Sequence, residues 1–252
     1  MTTTEINKAW IHGYSGRMGE KIKQALENSS FFELIGGSSL EKKDLTKINE
    51  TDIILDFSSA LGNIELLNIL ETSNLENVAV LIGSTGIEAR TKQLWNQLAR
   101  SQKLSLLFAP NTSLGVLLAA KAALTIGKAS YANDFDIEIV ETHHKNKIDQ
   151  PSGTANFFGE ILAESISGVQ LETNRTGARQ KSEIGVHSIR GGGIFGEHEI
   201  RFINDHEEVR ISHRAFDRDL FANGALVLAR WLMRKSSGVY HLLDIDLKDL
   251  AL

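Results

Sequence analysis

Cysteine is missing altogether from the 252 residues. Disulfides, thiolate metal sites and cysteine nucleophiles are therefore excluded. Excess positive charge is missing too: 27 lysines and arginines stand against 32 aspartates and glutamates, a net charge of −5. A dedicated nucleic-acid binder carries a basic stripe, so no nucleic-acid partner is expected; a local basic pocket for a small anion is still compatible with this balance. No apolar run is long enough for a membrane span, since the richest, 114–126, is short and interrupted by Lys121. Met1-Thr2-Thr3-Thr4-Glu5 lacks a charged segment followed by an apolar one, so a signal peptide is not expected and the reading is of a cytoplasmic protein. What is present, 42% hydrophobic and 23% charged residues, is ordinary soluble composition with enough chain for one large or two small cores.

Up to about Pro110, short apolar runs alternate with amphipathic stretches. Strands are expected at 9–11, 32–37, 52–57, 78–83 and 104–109, with helical patterns after the first strand and around 64–70 and 88–100. Continuous apolar strands separated by helices predict a parallel sheet covered on both faces. After Asn111 the pattern changes. A helix is expected over 114–126, then period-two strands at 135–140, 184–189, 199–203 and 209–213, and a final helix at 220–233. Strands with little helix among them favour an antiparallel or mixed sheet. Two domains are expected: one over 1–112, to which the closing segment 219–252 can return, and one over 113–218.

The first motif is Gly13-Tyr14-Ser15-Gly16-Arg17-Met18-Gly19, directly after a strand and opening a helix. Glycines there allow a tight turn and close approach of a pyrophosphate, and the helix start offers free N–H groups. The spacing is G-x-x-G-x-x-G rather than the commoner G-x-G-x-x-G, so the motif alone is a weak signal. At the end of the second strand, Ser38, Ser39 and Lys42 stand where an acid for a ribose hydroxyl is expected, which suggests tolerance for a 2′-phosphate. Gly83-Ser84-Thr85 and Ala109-Pro110-Asn111-Thr112 follow the fourth and fifth strands, where an open parallel sheet forms its ligand crevice.

The strongest signal is the run from Glu141 through His143, His144 and Lys147 to Pro151-Ser152-Gly153-Thr154, which opens an apolar helix. Backbone N–H groups at Gly153 and Thr154 suit a carboxylate. Lys147 supplies charge and a proton, and a histidine titrates near neutral pH. A metal site is not expected: adjacent histidines on a strand point to opposite faces, and no His-Glu-x-x-His pattern occurs.

These blocks, with Ile189-Arg190-Gly191-Gly192-Gly193-Ile194-Phe195-Gly196-Glu197-His198, Ser212-His213-Arg214-Ala215 and Phe221-Ala222-Asn223-Gly224-Ala225, resemble the 4-hydroxy-tetrahydrodipicolinate reductase (dihydrodipicolinate reductase) family, in order and over nearly the whole chain. The resemblance implies an α/β fold: a Rossmann-type dinucleotide-binding domain plus an α+β substrate and oligomerisation domain with a mixed sheet. It implies an oxidoreductase that uses NADH or NADPH to reduce a cyclic dicarboxylate with loss of water, in lysine and diaminopimelate biosynthesis, as a homotetramer. It also implies roles: His143 and Lys147 move protons, and His144, Gly153 and Thr154 contact substrate carboxylates. The segments 13–18, 83–85 and 109–112, with Ser39, face the coenzyme. Two rivals are a different two-domain NAD(P) dehydrogenase of a small acid and a nucleotide sensor without chemistry. The first gives no reason for Pro-Ser-Gly-Thr after His-His, and the second no need for His143, His144 and Lys147 together.

Overall fold

The computed structural model describes residues 6–39, 45–73, 75–173 and 175–250. It divides into two compact units, Met1–Ser113 with Arg218–Leu252, and Leu114–Asp217.

The first unit holds six strands, numbered in chain order: β1 (Asn7–His12), β2 (Phe32–Ser38), β3 (Ile53–Asp56), β4 (Ala79–Ile82), β5 (Ser105–Phe108) and β11 (Gly238–His241). All pair in parallel, in the order β11-β5-β4-β3-β1-β2. Its α-helices are α1 (Arg17–Glu27), α2 (Ala60–Glu71), α3 (Ala89–Ser101) and α6 (Asp219–Leu232). Every residue of β3, β4 and β5 is buried, as strands covered on both faces must be. α1 buries Gly19, Ile22 and Leu26, three- and four-residue spacings that put one stripe against the sheet. Ser59 caps α2 by accepting the Gly62 N–H at 3.2 Å. Trp10, Ile54, Leu66, Val80, Trp95 and Leu106 form the centre of the core.

The second unit contains α4 (Leu114–Ala132), β6 (Asp136–His143), α5 (Gly153–Ser165), β7 (Gln170–Glu172), β8 (Glu183–Arg190), β9 (Gly196–Ile203) and β10 (Glu208–Ala215). The sheet order is β10-β9-β6-β8-β7. β6 pairs in parallel with β8 and antiparallel with β9, so the sheet is mixed. Residues alternate along β6: Ile137, Ile139, Glu141 and His143 are buried and their neighbours are not. Two isoleucines followed by two titratable groups on one buried face is the feature that makes a site.

The Rossmann-type parallel sheet and the second mixed sheet agree with expectation. The helix expected over 114–126 runs on to Ala132. β7 and β11, of three and four residues, carry too little pattern to be read in advance.

Candidate functional site

Strand register explains why scattered motifs converge in the first unit. Ser38, His12, Asp56, Ile82, Phe108 and His241 are successive partners across the sheet. Ser39, Gly13, Gly83 and Ala109 each follow that row by one residue, so all four segments leave the same carboxyl edge. β1 lies between β2 and β3, so the chain departs to opposite sides of it there. Gly13 has φ +85°, a left-handed value that glycine adopts without strain. A Cβ on Gly19 would sit 2.2 Å from the Gly13 carbonyl oxygen, so α1 starts this close to the loop only because residue 19 is glycine. α1 has no side-chain cap, which leaves its first N–H groups for a ligand.

A cleft of about 460 Å³ opens at this edge, lined by residues that include Arg17, Met18, Phe57, Thr85, Pro110 and Arg218. Neither Arg17 nor Arg218 pairs with a carboxylate among the described residues. Beneath lies a buried polar cluster. The Asp56 carboxyl group accepts from the Ser58 amide (3.0 Å), Ser58 Oγ (2.6 Å), Asn63 Nδ2 (2.7 Å) and Ser84 Oγ (2.7 Å). His12 reaches Ser38 Oγ through Nδ1 and the Gly62 carbonyl through Nε2, both at 2.8 Å. A carbonyl only accepts, so His12 carries its proton on Nε2.

In the second unit, Glu141 is fully buried and grips three elements. Arg190, at the end of β8, donates Nη1 to Oε2 at 2.8 Å and Nη2 to Oε1 at 2.7 Å. The Ser152 amide, at the start of α5, donates to Oε1 at 3.2 Å. His143 Nδ1 contacts Oε2. Burial opposes ionisation of Glu141, but Arg190 and the other hydrogen bonds outweigh it and hold the carboxyl at about 2. His143 is only 7% exposed, and burial outweighs the pull of Glu141, so its pKa lies below the ordinary value. His198 packs edge-on against His143 at 5.1 Å and meets Ser152 Oγ through Nε2 at 3.0 Å. Burial drives it down to about 3, so it is neutral at physiological pH.

Ser152 caps α5 by accepting the Ala155 N–H at 3.2 Å, which leaves Gly153 exposed at the first helical position. His144 leaves the end of β6 half-buried. The Lys147 ammonium lies 2.8 Å from the Asp149 carboxylate. Backbone bonds from Gly191 N to the His143 carbonyl (3.0 Å) and from Lys145 N to the Gly192 carbonyl (3.3 Å) hold the glycine loop beside this segment. Among the described residues no group of His, Asp and Glu is arranged to hold a metal ion, and no helix is long and apolar enough to cross a membrane.

The family model described as dihydrodipicolinate reductase, N-terminus, matches residues 7–112, and that described as its C-terminus matches residues 115–245. The chain belongs to the dihydrodipicolinate reductase family. The 4-hydroxy-tetrahydrodipicolinate reductase of Pelobacter propionicus is 39% identical, over 94% of this chain and 98% of that protein. That of Alkaliphilus oremlandii is 36% identical, over 93% and 96%. A solved structure, dipicolinate-bound dihydrodipicolinate reductase from Paenisporosarcina, is 25% identical with a TM-score of 0.76, covering 94% of this chain and 98% of its own.

For a dihydrodipicolinate reductase family member a nicotinamide cofactor is implied, and the uncapped α1, the Gly13–Gly19 cradle and the two cleft-lining arginines fit one. Of the residues read from sequence as facing it, Arg17, Met18, Gly83, Ser84, Thr85, Pro110 and Thr112 line the cleft. The hydroxyls of Ser84 and Thr112 turn inward, to Asp56 and to the Phe221 carbonyl (2.7 Å). Ala109 is wholly buried, Asn111 accepts from the Ser113 amide at 2.9 Å, and Ser39 is buried. Tyr14 is half-buried under Gly37, while Ser15 and Gly16 are exposed at the turn. Ser38 spends its hydroxyl on His12, so it offers none to a phosphate; Lys42 lies outside the described residues.

His143 and the start of α5 are brought together through Glu141 and Ser152. Sequence reading assigned no role to Glu141, Arg190 or His198. Glu141 was findable: it stands two residues from His143 on an alternating strand, hence on one face. Arg190 was not, because only the β6–β8 register places it opposite His143.

Proposed function

We propose that this chain catalyses NAD(P)H-dependent reduction of 4-hydroxy-tetrahydrodipicolinate to tetrahydrodipicolinate with loss of water, in lysine and diaminopimelate biosynthesis. The observation that carries this reading is the tie of His143, Arg190 and the start of α5 to one buried carboxylate, Glu141, within the part that matches the family's C-terminal description.

The first unit is the dinucleotide-binding domain. The turn at Gly13 to Met18 and the start of α1 take the pyrophosphate, with Arg17 and Arg218 offsetting its charge. Gly83 to Thr85 and Pro110 face the nicotinamide, which supplies a hydride when bound. The coenzyme is NADH or NADPH.

The second unit is the substrate and tetramerisation domain. The Gly153 and Thr154 amides take one ring carboxylate, and His144 and Lys147 offset the charge of the acid. His143 moves a proton at Nε2, and Lys147 donates one to the ring. Lys147 meets the acid by exchanging or sharing its contact with Asp149.

The test is oxidation of NADH and NADPH, followed by nicotinamide absorbance, with the substrate made in situ by the preceding aldol enzyme. Substrate-dependent oxidation supports the reading. Its absence in folded, coenzyme-binding protein favours a sensor or a dehydrogenase of another acid.

A further inference from the structure

Glu141 and His143 share the buried face of β6. Glu141 Oε1 receives Arg190 Nη2 and the Ser152 amide, and Oε2 receives Arg190 Nη1 and His143 Nδ1. An ionised carboxylate only accepts, so the proton of the last contact sits on Nδ1. A neutral imidazole protonated at Nδ1 has its lone pair at Nε2, and no described residue donates to that atom. The room beside it is kept by a glycine: a Cβ on Gly196 would lie 2.9 Å from His143 Nε2.

We propose that Glu141 is the positioning residue of the site: it fixes His143 as the Nδ1–H tautomer, so that Nε2 is the atom that takes up the proton, while Arg190 holds the carboxylate in place. This rests on the reading of His143 as the proton-moving group. Arg190 alone would satisfy Glu141 as an ion pair. The contact to His143 is additional, and it links the carboxylate to the reacting end of the site. When Nε2 is protonated, the imidazolium faces an anion at Nδ1, which stabilises the charge formed during proton transfer. Burial meanwhile keeps the resting ring neutral. His198 adds no competing proton at neutral pH, since burial keeps it neutral too.

The direct experiment is a long-range ¹H–¹⁵N correlation spectrum of the ¹⁵N-histidine-labelled enzyme, with His143 assigned from His143→Asn. The wild type is expected to show the Nδ1–H tautomer at His143, and Glu141→Gln a mixed or Nε2–H ring. In kinetics, Glu141→Gln should lose roughly a hundredfold in kcat while KM for the ring dicarboxylate stays within about threefold. Its acidic limb should move to lower pH, because the anion that raises the pKa of His143 is gone. Glu141→Asp should recover part of kcat. A purely structural carboxylate would instead raise KM through the start of α5 and leave the limb in place.

An Nε2–H tautomer in the wild type would overturn the proposal without touching the reading of the reaction. Wild-type kcat and pH profile in Glu141→Gln would also overturn it. Wild-type turnover in His143→Asn would overturn the proton role of His143 itself, and with it the catalytic half of the proposal.

Discussion

Arg190 meets Glu141 with two parallel hydrogen bonds, 2.8 and 2.7 Å long, one to each carboxylate oxygen of a fully buried side chain. Removing one partner leaves the other as an uncompensated buried charge. Arg190→Met is therefore expected to lower the stability of the protein by about 3 kcal/mol in urea unfolding. The double variant with Glu141→Gln should lose less than the sum of the two single losses. An unchanged midpoint in Arg190→Met would mean that the pair carries no stability.

Asp149 lies 2.8 Å from the Lys147 ammonium, the group proposed to meet the ring dicarboxylate. The pair is partly exposed, so its contribution is small. Asp149→Asn should lower KM for the substrate, by up to about fivefold, by releasing Lys147. Initial-rate kinetics checks this, and a rise in KM would show that Asp149 helps to place Lys147 rather than competing for it.

Acid should destabilise the second unit in two stages. His198 has a folded pKa of about 3 against 6.5 in the unfolded chain, so below 6.5 the unfolded state binds the extra proton. The stability it contributes is complete above that value and is lost as pH falls through the window, at about 1.4 kcal/mol per pH unit. Glu141, at about 2 against 4.5, contributes stability that is complete above 4.5 and is lost as pH falls below it. Thermal melts from pH 7 to 4 should show a falling midpoint, and His198→Asn should flatten the first stage. A midpoint independent of pH over this range in the wild type would contradict the His198 assignment.

Gly19→Ala places a methyl group against the Gly13 carbonyl oxygen, and the contact is with backbone, which cannot step aside. The start of α1 must shift, so coenzyme affinity should fall by at least about tenfold in fluorescence titration. Arg218→Ala, which leaves the turn intact, should weaken coenzyme binding by a smaller factor and reduce its salt dependence. Unchanged affinity in both would remove the Gly13 turn from the coenzyme site.

Much of this was legible in the sequence because local chemistry carried it. Apolar runs such as 53–55 and 79–82 could only be buried strands, and Gly13 to Gly19 announced a strand-to-helix turn. Pro151 to Thr154 announced the start of a helix. The inward turn of Ser38, Ser84 and Thr112 was not legible, because their partners His12, Asp56 and the Phe221 carbonyl are between 26 and 109 residues away. Arg190 was hidden for the same reason, being 49 residues from Glu141 and adjacent only through strand register. Arg218 lines the cleft from the start of α6, and no local pattern marks it as a cleft residue.

The most direct measurement is steady-state oxidation of NADH and NADPH in the presence of 4-hydroxy-tetrahydrodipicolinate, comparing wild type with Lys147→Ala. Turnover with NADH or NADPH is predicted for the wild type, with a loss of at least about a hundredfold in the variant. A folded, coenzyme-binding wild type without substrate-dependent oxidation, or a variant with full turnover, would contradict it.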